Sequence, residues 1–178
     1  MDWIEAMTKL RRPFAPREIE WRPQQVGINR NGEVYIKVLA YITNRAIMYR
    51  LDEVFGIGGW QSLFRDLPDG GVECGIGCRI AEKDWVWKWD AADKTDIEAV
   101  KGGRSSAMKR AAVHWGIARY LYYLDADFGQ IQNGGSHWQP AGGNVKRGWK
   151  WEGFAWNPPP LPDWALPRQE EKQEEVVY

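Results

Sequence analysis

The chain has only two cysteines and two histidines among its 178 residues, and no net charge. Each scarcity removes a class of explanation. Cys74 and Cys78 fall four residues apart on a predicted strand. They share a face but lie about 13 Å apart, too far for a disulfide or a shared metal ion. With His114 and His137 as the only imidazoles, a zinc site is not expected. Two free thiols fit a reducing compartment, the cytoplasm. No apolar run reaches transmembrane length, so no membrane partner is expected. The opening MDWIEAMTKLRRPF has acids near its start and no apolar segment, unlike a secretory signal.

The charge balance is also uninformative in bulk. Of 24 basic and 24 acidic residues, five and six fall from Gly129 onward, which leaves 19 and 18 in the body. A nearly neutral body binds nucleic acid only through a local patch. What the chain has in abundance is tryptophan, twelve in all. A large flat ring serves a core and serves equally for stacking on bases.

Periodicity gives the elements. Trp3, Ile4, Met7 and Leu10 predict a short amphipathic helix stopped by Pro13. Two strands are expected around the Asn31-Gly32 turn. A helix is predicted over Tyr41 to Phe55, ended by Gly56, Gly58 and Gly59. Strands near 60–67, 71–80 and 85–90 form an antiparallel meander. The Thr95-x-x-Glu98 pattern is a capping box that opens a helix running to about Trp115. Gly116 breaks it, and a short last helix follows. Residues 1–128 are therefore expected to fold as one domain. From Gly129, Gly, Trp, Pro and Asn dominate, and residues 129–178 read as an extended, flexible tail.

Several motifs invite chemistry. KGGRSS, from Lys101 to Ser106, lacks the full G-x-x-x-x-G-K-S/T of a phosphate loop. Its glycines are expected to permit close packing. Asp90, Asp93, Asp96 and Glu98 could hold Mg²⁺ in a nuclease, but acids near a helix start have a capping role of their own. Trp85, Trp87 and Trp89 share one strand face. A sheet covered by helices needs such a face, so the core is preferred to a base-stacking platform. Met108, Ala111, Ala112 and Trp115 form a buried helix stripe, with Lys109 and Arg110 side by side on its flank. Taken singly, Lys109, Arg110, Arg22, Lys37, Arg45, Lys101 and Arg104 are ambiguous between solvated surface charge and a binding patch.

The combination of YITNRAIMYRLDEVFGIGGW, the meander, TDIEAVKGGRSSAMKRAAVHWGIARYLYYL and the early PFAPREIEWRPQ resembles one family over about residues 5–127. It is similar to the Rad-fifty-two/twenty-two family of single-strand annealing proteins, in its short phage and bacterial form. The resemblance implies an α+β fold with an antiparallel β-β-β-α core and an additional N-terminal helix and hairpin, assembled into a ring or helical homo-oligomer. It implies a groove for single-stranded DNA, with the backbone bound and the bases turned outward. Lys109 and Arg110 match the family's groove pair, and Arg22 its basic hairpin residue. Tyr41 matches the tyrosine that opens the first long helix, Arg45 a basic or histidine position, and Lys101 a further basic position. Val113 stands where relatives often carry another basic residue, which implies either a less basic groove or a substitute such as Arg104. The tail does not resemble the long eukaryotic half that recruits the recombinase.

The expected function is ATP-independent binding and annealing of single-stranded DNA in homologous recombination, as in a phage recombinase, with no catalytic residue, metal or other cofactor. The rivals are an end-protecting binder on the same fold, a metal-dependent nuclease using the acidic cluster, and an adaptor acting through the tail. A single-strand-binding protein is the expected partner of that tail.

Overall fold

The computed structural model describes residues 1–68, 70–80, 84–93 and 99–168, with backbone alone at 99–101. Helix α1 spans Trp3–Arg11 and is capped by the Asp2 side chain, which accepts from the Glu5 N–H at 2.8 Å. Strands β1 (Ile19–Ile28) and β2 (Val34–Ile42) form an antiparallel hairpin with an irregularity between Pro23 and Gln25. At its turn, the Asn29 side chain accepts from the N–H groups of Asn31 and Glu33.

Helix α2 spans Asn44–Phe55. It begins three residues later than the sequence predicts, because Thr43 caps it by accepting from the Ala46 N–H. Tyr41 therefore ends a strand instead of opening a helix. Strands β3 (Trp60–Asp66), β4 (Val72–Cys78) and β5 (Val86–Ala92) form the expected meander, with β4 central. Helix α3 spans Ala99–His114. The Thr95–Glu98 capping box lies outside the described residues. Gly103 is buried, and a Cβ there would sit 3.2 Å from Val72, which explains the small residue. Gly116 follows α3 at φ +90°, a conformation glycine adopts at no steric cost. The last predicted helix is a 3-10 turn at Arg119–Tyr123.

The core lies between the meander and the helices. Strand β4 contributes Val72, Cys74, Ile76 and Cys78, all buried, against Ala107, Met108, Ala111, Ala112 and Trp115 of α3. The Trp115 indole donates to the Ile76 carbonyl at 3.0 Å, fixing helix to strand. Ala6 and Leu10 of α1 and Ile47, Leu51 and Val54 of α2 close the cluster. Arg50 is the buried cation of the core. It donates to the carbonyls of Lys9 and Arg12 at 3.1 and 2.8 Å, completing the end of α1.

Two further sequence expectations about the fold are corrected. Alternation along β4 turns Gly75 and Gly77 away from the helices. Trp89 and Trp87 lie over them, so close that a Cβ would meet the rings at 2.6 and 2.7 Å. Trp85, Trp87 and Trp89 therefore tile the outer face of the meander, half-buried, instead of filling the helix-covered core. Arg65 and Arg79 lie over the Trp89 and Trp85 rings.

The second correction concerns the tail. β6 (Asp127–Phe128) adds to the free edge of β2. β7 (Gln130–Ile131), β8 (His137–Gln139) and β11 (Phe154–Asn157) form a small sheet with β11 central. β9 (Gly142–Asn144) pairs with β10 (Trp149–Trp151). Trp156, 1% exposed, packs on Ile36 and Val38 of the hairpin and forms a second core. Residues 130–157 thus form short paired strands, with Trp156 and Phe154 packed onto the hairpin, where the composition predicts an extended chain. One fully buried tryptophan supplies the apolar area that the scarce aliphatics do not.

Candidate nucleic-acid interface

The buried stripe of α3 fixes how its basic residues project. Lys109 and Arg110 are adjacent in sequence, so they leave the helix about 100° apart. The structure sends them to different neighbours. Lys109 reaches the hairpin, where its ammonium lies 4.7 Å from the centroid of the Tyr41 ring. Tyr41 pairs across the hairpin with Glu20, and its hydroxyl donates to the Glu20 carboxylate at 2.5 Å. Arg22 lies two residues along β1 from Glu20 and on the same face.

These groups feel one another. Burial first, then the Arg22 guanidinium, holds the Lys109 ammonium below the usual lysine range, with Glu20 pulling the other way. Burial, and then the hydrogen bond and charge of Glu20, push the Tyr41 phenol up to about 12. Lys109, Arg22 and Tyr41 are thus one cluster.

Arg110 turns to β5. Its Nε donates to Asp90 Oδ1 at 3.1 Å, while His114, one turn further along α3, meets Asp90 Oδ2 at 3.1 Å. The Arg110 side chain is 55% exposed and Asp90 23%. Burial would raise the Asp90 pKa. The Ala91 N–H, Arg110 and His114 outweigh it and hold the carboxyl below its usual range. Next along the same face of β5, Lys88 donates to the His114 carbonyl at 2.8 Å, joined there by Arg119 at 2.9 Å. These cations satisfy the free carbonyls at the C-terminus of α3 and complement its dipole. Burial, then the charges of Arg119 and Arg11, lower the Lys88 pKa.

The other predicted residues stand apart from this pair of clusters. Arg45 is exposed in the first turn of α2, directly after the end of β2 that carries Tyr41. Arg104 leaves α3 about 140° around the helix from Lys109. Its guanidinium lies over the Phe64 ring of β3, 5.5 Å from the centroid. The structure therefore does not bring Arg104 to Lys109 as a substitute for a basic residue at Val113. Lys101 lies two turns before Lys109 on α3, and its side chain is outside the described residues.

The sequence does not single out Glu20 or His114, and it offers Asp90 only as a metal ligand or as one of the acids at a helix start, not as a partner of Arg110. Alternation along β1 and β5 was the available signal. It places Glu20 beside Arg22, and it puts Lys88 and Asp90 together on the face of β5 opposite the tryptophans. No group of three or more His, Cys, Asp or Glu that could hold a metal ion occurs among the described residues. Asp96 and Glu98 lie outside them.

A helix that holds a lysine and an arginine out beside a hairpin carrying Arg22 gives an α+β protein with a cationic surface. Residues 3–137 match the model of the Rad52/22 family double-strand break repair proteins, and the chain belongs to that family. It is similar to the single-stranded DNA-binding protein DdrA of Deinococcus radiodurans, 29% identical over 175 residues that span 96% of this chain and 72% of the relative. DdrA of Deinococcus deserti is 27% identical over 182 residues, spanning 96% and 74%. Among the described residues, no helix is long and apolar enough to cross a membrane.

Proposed function

We propose that this chain binds single-stranded DNA across the Arg22–Lys109 cluster and Arg110, and anneals complementary strands in double-strand break repair and homologous recombination without ATP or a metal ion. The carrying observation is the divergence of Lys109 and Arg110 from a helix locked to β4 by Trp115. Two cations held apart on a fixed support meet successive phosphates of a flexible strand. Phosphate contacts hold a strand without reading its sequence. Bases left free then meet a complement, and annealing needs no nucleophile.

A neutral protomer works this way when copies line up their patches, so the reading includes a ring or helical homo-oligomer. It acts where DNA is, in the cytoplasm of a bacterial cell or of a phage host. Arg45, exposed at the start of α2 just after the strand end that carries Tyr41, is a further cation offered to the strand. The Pro run and the acidic C-terminal sequence are the chemistry offered to a single-strand-binding protein.

Lys109→Ala with Arg110→Ala tests the site. The folded double variant is expected to lose strand affinity, and its log–log salt slope to fall by about 0.7 per lost phosphate contact. Unchanged affinity overturns the assignment. An end-protecting binder on the same fold is the second reading, favoured because both relatives are named for binding. Pairing of two labelled complementary strands, with and without ATP and Mg²⁺, separates the two.

A further inference from the structure

We propose that Asp90 is a built-in competitor for DNA phosphate at Arg110, keeping a bound strand exchangeable. The proposal rests on the single-strand-binding reading above and concerns the regulation of that site.

The geometry is asymmetric in a useful way. Asp90 takes only the Nε of Arg110, at 3.1 Å. A guanidinium carries five N–H donors in a planar fork and holds carboxylate or phosphate best through two of them at once. The carboxylate is anchored independently of that arginine. Its Oδ2 faces His114 at 3.1 Å, and its Oδ1 also accepts from the Ala91 N–H at 2.7 Å. Asp90 therefore stays in place when Arg110 leaves. The arginine is the mobile partner, with a long side chain more than half exposed. It also lines an open groove with Asp93 and Ser106, so an incoming phosphate has access to it.

One anion is thus exchanged for another at the same cation. The exchange costs affinity, because the Asp90 interaction is lost when the phosphate contact forms. It also reduces the net release of counterions, because the carboxylate that loses Arg110 regains a counter-charge from solution. An annealing surface gains from both effects. Each strand must be held, yet it must shift in register until its complement is found. The Lys109 ammonium instead lies over the Tyr41 ring, and the neighbouring Glu20 carboxylate is engaged by the Tyr41 hydroxyl. The two adjacent cations then divide the work, with Lys109 as the constant contact and Arg110 as the exchangeable one.

The test uses the full chain, a labelled oligothymidylate strand and titrations over a range of salt. Asp90→Asn is expected to tighten binding about three- to tenfold and to steepen the salt slope by about 0.7, the increment of one added phosphate contact. Asp90→Ser is expected to act in the same direction, and Asp90→Glu to restore wild-type behaviour. In an Arg110→Ala background the gain from Asp90→Asn is expected to vanish, since coupled residues are non-additive. An equal gain in that background means that Asp90 acts only as a distant negative charge and overturns the proposal. So does weaker binding in folded Asp90→Asn and Asp90→Ser, which would make Asp90 an orienting residue. If Arg110→Ala and Lys109→Ala both leave affinity unchanged, the binding reading itself has failed, a result distinct from either of these.

Discussion

The Lys109 ammonium rests 4.7 Å from the Tyr41 ring centroid, while the same tyrosine's hydroxyl donates to Glu20 at 2.5 Å. The phenol's pKa is about 12 in the folded chain, against about 10 when exposed. The folded state therefore holds this proton more tightly. Its contribution to stability is fully present below pH 10 and is lost as pH rises from 10 to 12. Tyr41→Phe is expected to remove that component. Urea midpoints between pH 10 and 12 should fall less steeply in the variant, and the highest-pH step in tyrosinate absorbance should disappear.

Arg50 gives a prediction about stability alone. Its guanidinium serves the last carbonyls of α1 from inside the core and lies 4.1 Å from the Phe14 ring centroid. Hydrogen bonds to a charged group are worth about 1.5–3 kcal/mol, and unsatisfied buried partners add to the loss. Arg50→Ala is expected to lower unfolding free energy by about 3 kcal/mol, measured by urea denaturation. Arg50→Lys should recover only part of it, because an ammonium cannot reproduce the planar fork.

The two thiols provide a chemical reporter of folding. Cys74 and Cys78 are each fully buried on β4, and burial pushes both up to about 12. The thiolate is the reactive form. At neutral pH both are expected to resist a thiol-specific disulfide reagent in the native chain. They should react together once urea passes the unfolding transition. Rapid native-state labelling of either would contradict their placement against α3.

Trp156 tests whether the C-terminal strands are part of the folded unit. It is 1% exposed and covers Ile36 and Val38, both fully buried. Trp156→Ala is expected to cost about 3–5 kcal/mol, as for other large-to-small core changes. Truncation after Phe128 should destabilise the hairpin as well, because it uncovers the same two residues. Equal stability of the truncated chain, by urea denaturation, would show that the fold ends at Phe128.

Much of this architecture was legible in the residues. The stripe of Met108, Ala111, Ala112 and Trp115 marks the buried face of α3, and Asn31-Gly32 marks the hairpin turn. Tyr41 was misplaced because an apolar pattern continues smoothly from β2 into α2. Only the cap at Thr43 divides them. The tryptophans of β5 were assigned to the wrong face because alternation says which residues share a side but not which side the helices cover. The glycines of β4 decide it, since they leave room for rings on one face only. The C-terminal strands escaped because strands of two to four residues carry too little periodicity to stand out. At the site, residue type and resemblance pointed to Lys109, Arg22 and Arg110. Of the carboxylates that complete their surroundings, Glu20 sits two residues from Arg22 but far in sequence from Lys109, and Asp90 is twenty residues before Arg110, so both reach the helix cations only on folding.

The tiling of indoles on the bare glycines of β4 has an optical consequence. Trp87 and Trp89 lie with centroids 5.6 Å apart at 24°, and Trp85 follows at 6.3 Å from Trp87. Transition dipoles held this close and at fixed angles mix, so the meander carries an excitonic circular-dichroism signature that isolated tryptophans lack. The rings face away from α3. The signal therefore reports on the back of the sheet, and a strand lying along Lys109 and Arg110 leaves it unchanged. A ligand or protein that settles on the back of the meander alters it directly. The chain thus has an intrinsic spectroscopic label that distinguishes engagement of one face from engagement of the other, with no dye attached.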